Sequence, residues 1–279
     1  MKQVTRADVC QALSVLGVQQ GDTVLVHSSF KSLGPVDGGA ETVISGFLDA
    51  IGEEGTLVFP TFCQKDFRNV YQTWHLDKES DVGWLTNYFR KRDGSIRSDQ
   101  ATHSVAACGR DAYELTRTHG ITGKRFGNMG DTPFAKDSPW EKMYLKNAKI
   151  VLLGVSPLYI TFRHYAEYCY IDECLLRLQQ HAEYEEMKAQ LAEFGKKGVW
   201  PHLDNMVLAD ILASNGAITT AKCGDAELLC VSTVSFVDTA LLELRSFNEQ
   251  VLKRSASQAW DTDAWICWTQ KLRDILNEN

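Results

Sequence analysis

The sequence predicts an α/β fold in which helices cover both faces of a mainly parallel or mixed sheet. Three observations carry this. Short apolar runs such as Val24-Leu25-Val26 and Ile150-Val151-Leu152-Leu153 alternate with stretches of helical apolar spacing. Glycines and prolines punctuate the boundaries, and no internal repeat or low-complexity tract interrupts the pattern. With 279 residues and 44% hydrophobic content the chain can bury a large core. No long linker divides it, so it reads as one integrated domain over 1–279, with a core over 1–170 and a more helical part over 171–279.

Taken in order, Arg6 to Leu16 has helical spacing with Thr5 as its N-cap, and Gly21-Asp22 turns the chain into a buried strand over Thr23 to His27. Gly38-Gly39 leads into a helix over Glu41 to Ile51, and Gly55 to Pro60 is the next strand, closed by proline. Asp81 to Arg92 reads as a helix, Ser104 to Cys108 as a short strand of small residues, and Asp111 to Thr118 as a helix. Pro139 to Leu145 is a helix with proline in its first turn, followed by a strand over Lys149 to Val155 and a helix that carries His164. Beyond Ile171 the chain is more polar. Residues 173–194 form a charged amphipathic stretch that Lys196 to Pro201 breaks; Asn205 to Ser214, Phe236 to Phe247 and Asp263 to Leu276 read as helices, and Glu227 to Val234 as a strand.

Composition excludes several classes. A net charge of −7 argues against general nucleic-acid binding, which needs a basic face. No apolar run reaches the roughly 18 residues of a membrane span, and the segment Met1 to Arg6 lacks a signal-peptide core. A cytoplasmic protein without membrane attachment is expected. The eight cysteines show no Cys-x-x-Cys pair, so they read as buried small hydrophobes, and no metal is expected at Cys169 and Cys174.

Three constellations carry chemistry. His27 to Gly39 begins where a strand ends and reaches a helix start, so amides, hydroxyls and Lys31 converge there; it holds a phosphate or simply turns the chain. It is neither Gly-x-Gly-x-x-Gly nor a Walker loop, which disfavours nicotinamide and nucleoside-triphosphate chemistry. Arg97 to Gly109 is a polar run with Arg97, Ser98 and His103 entering a strand of small residues, beside which a ligand can lie close to the backbone. Thr161 to Glu167 places His164 and Glu167 three apart, on one helix face. A glutamate there orients one imidazole nitrogen and leaves the other for a proton, although the same spacing also serves ordinary surface pairs.

Val26-His27-Ser28-Ser29, Gly34, Gly38-Gly39, Gly55 to Thr61, Arg97-Ser98, Thr102 to Gly109, Ser138-Pro139-Trp140, Val151 to Gly154 and Thr161 to Glu167 occur in one collinear order. In that order they resemble the aminoglycoside 3-N-acetyltransferase family over about residues 5–170, and more loosely beyond. The resemblance implies a three-layer α/β/α fold with a central mixed sheet and a coenzyme A dependent N-acyltransferase. It implies that Ser28, Ser29, Lys31, Leu33, Gly34, Arg97 and Ser98 line the coenzyme, and that His164 and Glu167 are catalytic with His103 adjoining. The co-substrate expected is acetyl-CoA or another short acyl-CoA, the partner a small amino-sugar acceptor, with a homodimer left open.

An amino-sugar amine is mostly protonated near neutral pH, so attack on a thioester needs a base. His164 is that base, oriented by Glu167, with backbone amides around Ser104 and Val105 facing the oxyanion and the coenzyme. Cys108 is structural. The chain departs from the family at the acceptor side: Gln100-Ala101 replaces His-Pro, and Ser156 to Ile160 lacks the acidic residue and Asn of many members. Polycationic drugs are gripped by carboxylates, so the reading leans to a relative that transfers an acetyl or short hydroxyacyl group, such as 3-hydroxybutyryl, to a nucleotide-linked sugar. The acceptor is then a dTDP-3-amino-3,6-dideoxyhexose of surface-polysaccharide (lipopolysaccharide) biosynthesis, held by aromatic residues among which Trp74, Tyr159 and Tyr168 are expected at the substrate, with Trp84 and Tyr165 as further stacking candidates. The alternatives are an aminoglycoside-resistance enzyme and a non-catalytic ligand-binding relative.

Overall fold

The computed structural model describes residues 3–63, 65, 69–120, 133–197, 201–252 and 261–277. In chain order the elements are α1 (Arg6–Val15), β1 (Thr23–Ser28), α2 (Ala40–Ile51), β2 (Thr56–Pro60), α3 (Val70–Thr73), α4 (Trp84–Arg90), β3 (Ile96–Arg97), β4 (Val105–Gly109) and α5 (Ala112–Thr116). They continue with α6 (Pro139–Leu145), β5 (Lys149–Leu153), α7 (Phe162–Leu178), α8 (Tyr184–Lys197), α9 (Asn205–Ser214), β6 (Thr219–Cys223), β7 (Ala226–Ser232), α10 (Thr233–Arg245) and α11 (Thr262–Asn277). Local chemistry sets the helix starts. Thr5 and Asp8 form a reciprocal capping box at α1, and Ser138 accepts from the Glu141 amide at α6, whose first residue is Pro139. The helix expected from Asp81 begins at Trp84, because Gly83 has φ 144° and lies outside helical space. The break expected at Gly198 to Trp200 lies outside the described residues.

The seven strands form one sheet in the order β3-β4-β2-β1-β5-β7-β6. β1 runs parallel to β2 and to β5, while β4 on one side and β7 on the other pair antiparallel, so the sheet is mixed. The more polar C-terminal part therefore contributes β6 and β7 to the same sheet as β1 to β5.

Side-chain alternation along the strands divides the interior into two layers. Leu25, Val58, Val105, Ile150 and Leu152 pack against Leu115 of α5, Trp140 of α6, Phe162 of α7, Leu208 of α9 and Phe236 of α10. Val24, Val26, Leu57, Phe59, Val151 and Leu153 pack on the opposite face against Val9 and Leu13 of α1, Phe47 of α2 and Phe89 of α4. Burial on both faces explains why β1, β2 and β5 read as continuous apolar runs. The result is the three-layer α/β/α arrangement, with about 25 cal/mol per Å² of buried apolar surface as the driving term.

The three parallel strands end at the same edge. Just beyond β5, Gly154 has φ +64°, and a Cβ there would come within 1.7 Å of Ser32 Oγ. Only glycine lets the chain turn out of the sheet against the loop after β1. Gly154 N–H closes the corner on the Glu227 carbonyl at 2.9 Å, and Ser29 N–H on that of Leu153 at 2.8 Å.

Candidate active site

A cleft of about 770 Å³ opens beyond the carboxyl ends of β1, β2 and β5. It lies within the roughly 300–1,000 Å³ usual for small-molecule sites. Ser28 and Ser29 at the end of β1, Pro60 at the end of β2, and Gly154 to Ser156 after β5 line one side. Carboxyl ends of parallel strands collect free amides and loop side chains, which is why α/β folds place ligands there. His103 reaches the cleft from the approach to β4, Asp81, Val82 and Gly83 from the approach to α4, and Arg163 and His164 from the first turn of α7.

His164 Nδ1 lies 2.8 Å from Glu167 Oε2. Glu167 is fully buried, and its second oxygen accepts the Leu203 backbone N–H at 2.9 Å. His202 stacks on His164 with ring centroids 6.2 Å apart, its Nδ1 3.9 Å from Glu167 Oε1. A buried carboxylate is tolerated only when hydrogen-bonded, and Glu167 has donors on both oxygens. An ionised Glu167 makes Nδ1 the protonated nitrogen, so the lone pair of His164 sits on Nε2. Arg163 Nε–H points at that nitrogen from 3.4 Å. Burial, and then the Arg163 charge, hold the His164 imidazole well below the usual histidine pKa, so it is unprotonated at neutral pH.

His103 is buried with its ring edge-on to His164, centroids 5.9 Å apart. Gln100 sets its place: the side-chain carbonyl accepts the amides of Thr102 at 2.9 Å and His103 at 2.6 Å. Burial lowers the His103 pKa first, followed by the neighbouring His164, His119 and Arg163. His27, at the end of β1, also lines the cleft and is buried, which pushes its pKa down to about 4.

The structure thus brings together Ser28, Ser29, His103, Tyr159 and His164 along the cleft, with Glu167 directly behind His164. Tyr159 stands at the rim, 61% exposed.

Other expected site residues lie elsewhere. The Arg97 guanidinium donates to the carbonyls of Leu76, Lys78 and Thr61, tying those residues to β3, and stacks on Trp74 with Cζ 4.6 Å from the ring centroid. Trp74 in turn donates Nε1–H to Asp99 at 2.7 Å, outside the cleft. Ser98 is fully buried; it accepts the Val105 N–H at 2.9 Å and bonds to His119 Nδ1 at 2.8 Å. That engages the Val105 amide expected at the oxyanion, and Ser104 Oγ donates to the Thr61 carbonyl at 2.9 Å.

Leu33 is a core residue, and Gly34, φ +73°, faces Asp225. Lys31 is exposed in the short turn Phe30–Leu33, outside the cleft lining. Tyr168 is buried under Phe134, ring centroids 5.5 Å apart, because it lies on the core side of α7. Trp84 is exposed and leans on Phe30, whereas Tyr165 is buried. Cys108 lies in β4, away from the cleft. No group of histidine, cysteine or acidic residues suited to a metal occurs among the described residues. Nor is any helix among them long and apolar enough to cross a membrane.

Sequence reasoning missed Asp81, Arg163, His202, Leu203 and Asn205. Asn205 Nδ2 donates to the carbonyls of Leu158 and Ile160, each at 2.9 Å, and so fixes the loop that precedes α7. Asp81 lines the cleft, an acidic residue that the Ser156 to Ile160 loop lacks, and its Oδ2 accepts the Lys65 N–H at 2.7 Å. Its motif-free setting before α4 gave no local signal.

A sequence model of the family described as aminoglycoside 3-N-acetyltransferase matches residues 25–244, well over half of the chain. The chain belongs to this family. Aminoglycoside N(3)-acetyltransferase VII of Streptomyces paromomycinus is 31% identical over 185 residues, covering 59% of this chain and 60% of that protein. The chain thus spans about three fifths of the length of the curated relatives it matches. Among solved structures, aminoglycoside acetyltransferase AAC(3)-IVa, as a mutant in complex with a gentamicin, superposes with a TM-score of 0.69 at 18% identity, covering 99% of this chain and 98% of that one. AAC-IIIb in its binary complex with CoASH gives 0.67 at 16% identity over 92% and 100% of the two chains. These likenesses establish the aminoglycoside 3-N-acetyltransferase fold for the chain.

Proposed function

We propose that this family member is an acetyl-CoA dependent N-acetyltransferase acting on an amine of an aminoglycoside. The observation that carries the reading is the neutral, cleft-lining His164, held through Nδ1 by a fully buried Glu167. The related proteins named above, which acetylate the 3-amino group by their names, support the acceptor class, and so does Asp81, a carboxylate suited to a cationic acceptor.

The chemistry follows from the geometry. The amine nitrogen attacks the thioester carbonyl carbon, and the C=O π pair moves onto oxygen. The amine proton passes to His164 Nε2, and Glu167 stabilises the imidazolium formed. Collapse of the tetrahedral adduct re-forms the carbonyl, breaks the C–S bond and releases coenzyme A thiolate, which takes the proton. Ser28 and Ser29 at the cleft wall supply hydroxyls for the acyl donor, and Tyr159 at the rim contacts the acceptor. In this reading the acceptor side is completed by the C-terminal part, through His202, Leu203 and Asn205.

One observation favours a second acceptor. Among the described residues that line the cleft Asp81 is the one carboxylate, fewer than a polycationic drug would engage, which suits a nucleotide-linked amino sugar. Purified protein with acetyl-CoA separates the readings: release of free thiol with gentamicin or apramycin supports the first. Release only with dTDP-3-amino-3,6-dideoxyhexoses replaces it with the second, and release with neither overturns both.

A further inference from the structure

β1 reads Val24-Leu25-Val26-His27, an apolar run that ends in an imidazole. By strand alternation His27 shares the face of Leu25, the face on which α7 packs, and it pairs with Leu152 of β5. It is 6% exposed, and its Nε2 has no hydrogen-bond partner among the described residues. A leucine at this position would fill the site with no polar atom to satisfy. Buried polar atoms in folded proteins are nearly always paired, so an unpaired one in a residue that lines the cleft is a donor left for a ligand.

The chemistry of the ligand follows from what else the cleft offers. The Val105 amide, one of the two that sequence reasoning put at the oxyanion, is engaged inside the protein by Ser98. His164 Nε2 takes a proton and cannot donate at the same step. His27 remains neutral over the working range and can present one N–H without ever acting as an acid, as suits a group that polarises a carbonyl.

We propose that His27 donates its Nε2–H to the carbonyl oxygen of the acyl thioester and to the oxyanion formed when the amine attacks. This assignment rests on the acyl-transfer reading and adds a substrate contact to it. Two measurements test it. His27→Leu removes the donor and His27→Gln keeps one near the Nε2 position. With acetyl-CoA and an accepted amine, His27→Leu lowers kcat about 100-fold with its coenzyme A Kd within about twofold, while His27→Gln recovers at least tenfold of that loss. If His27→Leu does not fold, a 15N-histidine spectrum of the wild-type chain carries the decision: the His27 Nε2–H signal moves downfield with acetyl-CoA and not with CoASH, which lacks the carbonyl.

A kcat within threefold of wild type for a folded His27→Leu, a loss confined to KM for acetyl-CoA, or an Nε2 that carries no proton overturns the assignment and leaves the transfer reading intact. A wild-type chain with no turnover on any amine overturns the transfer reading, and this role with it.

Discussion

Leu203 donates its backbone N–H to Glu167 Oε1 at 2.9 Å, so the segment entering α9 holds the residue that orients His164, 36 positions away. Both carboxylate oxygens are thereby acceptors, one toward the backbone and one toward the imidazole. An amide cannot satisfy that pair of donors.

Glu167→Gln therefore sets its NH₂ against either the Leu203 N–H or the His164 Nδ1–H. Turnover falls about 100-fold or more, and urea melts lose about 1–3 kcal/mol. A variant within threefold of wild type in thiol release excludes the orienting role.

Stability falls with acid, and the sign follows from the buried histidines. An unfolded histidine titrates near 6.5; in the fold His27 and His119 titrate near 4, and His103 and His164 well below 6.5, chiefly through burial. Between those values the unfolded chain binds more protons, so the stabilisation is fully present above pH 6.5 and is lost as pH falls towards 4. His27 and His119 each contribute roughly 3 kcal/mol over that window. Urea midpoints at pH 7.5, 6 and 5 measure the slope, and His27→Gln flattens it by up to about 1.4 kcal/mol per pH unit. An unchanged slope in that variant rules out His27 as a titrating group.

Arg97→Ala destabilises the fold by about 2–4 kcal/mol, because three backbone carbonyls lose a charged donor. KM for acetyl-CoA stays within about twofold in the surviving folded fraction. A raised KM with unchanged Tm would instead return Arg97 to the coenzyme.

Asp81→Asn raises KM for a polycationic acceptor about 5- to 20-fold and leaves KM for acetyl-CoA unchanged. Equal effects on both substrates would place Asp81 away from the acceptor.

Much of the fold was legible because its signals are local. The Thr5 N-cap, the proline in the first turn of α6 and the doubly buried runs of β1, β2 and β5 all announce themselves within a few residues. β6 did not: Thr219 to Cys223 is an edge strand exposed along most of its length, with no apolar alternation to mark it. β3, two residues long, is marked only by its partner. At the site, His164 and Glu167 were legible as a helix-face pair and in their collinear family setting. Leu203 and His202 were not, since their contact to Glu167 exists only after α9 docks on the loop before α7. Arg97 and Ser98 stood in a recognisable motif, yet whether a polar side chain serves ligand or backbone is decided by which carbonyls end up near it.

The tie between Glu167 and Leu203 also sets a timetable. A ribosome makes α7 well before it makes the segment entering α9, so the acid–base pair leaves the exit tunnel ahead of the amide that steadies it. Until that later stretch folds back, Glu167 lacks the Leu203 amide as a donor. The amide that steadies the pair thus comes from the stretch that also leads to β7, the strand that pairs with the far edge of β5.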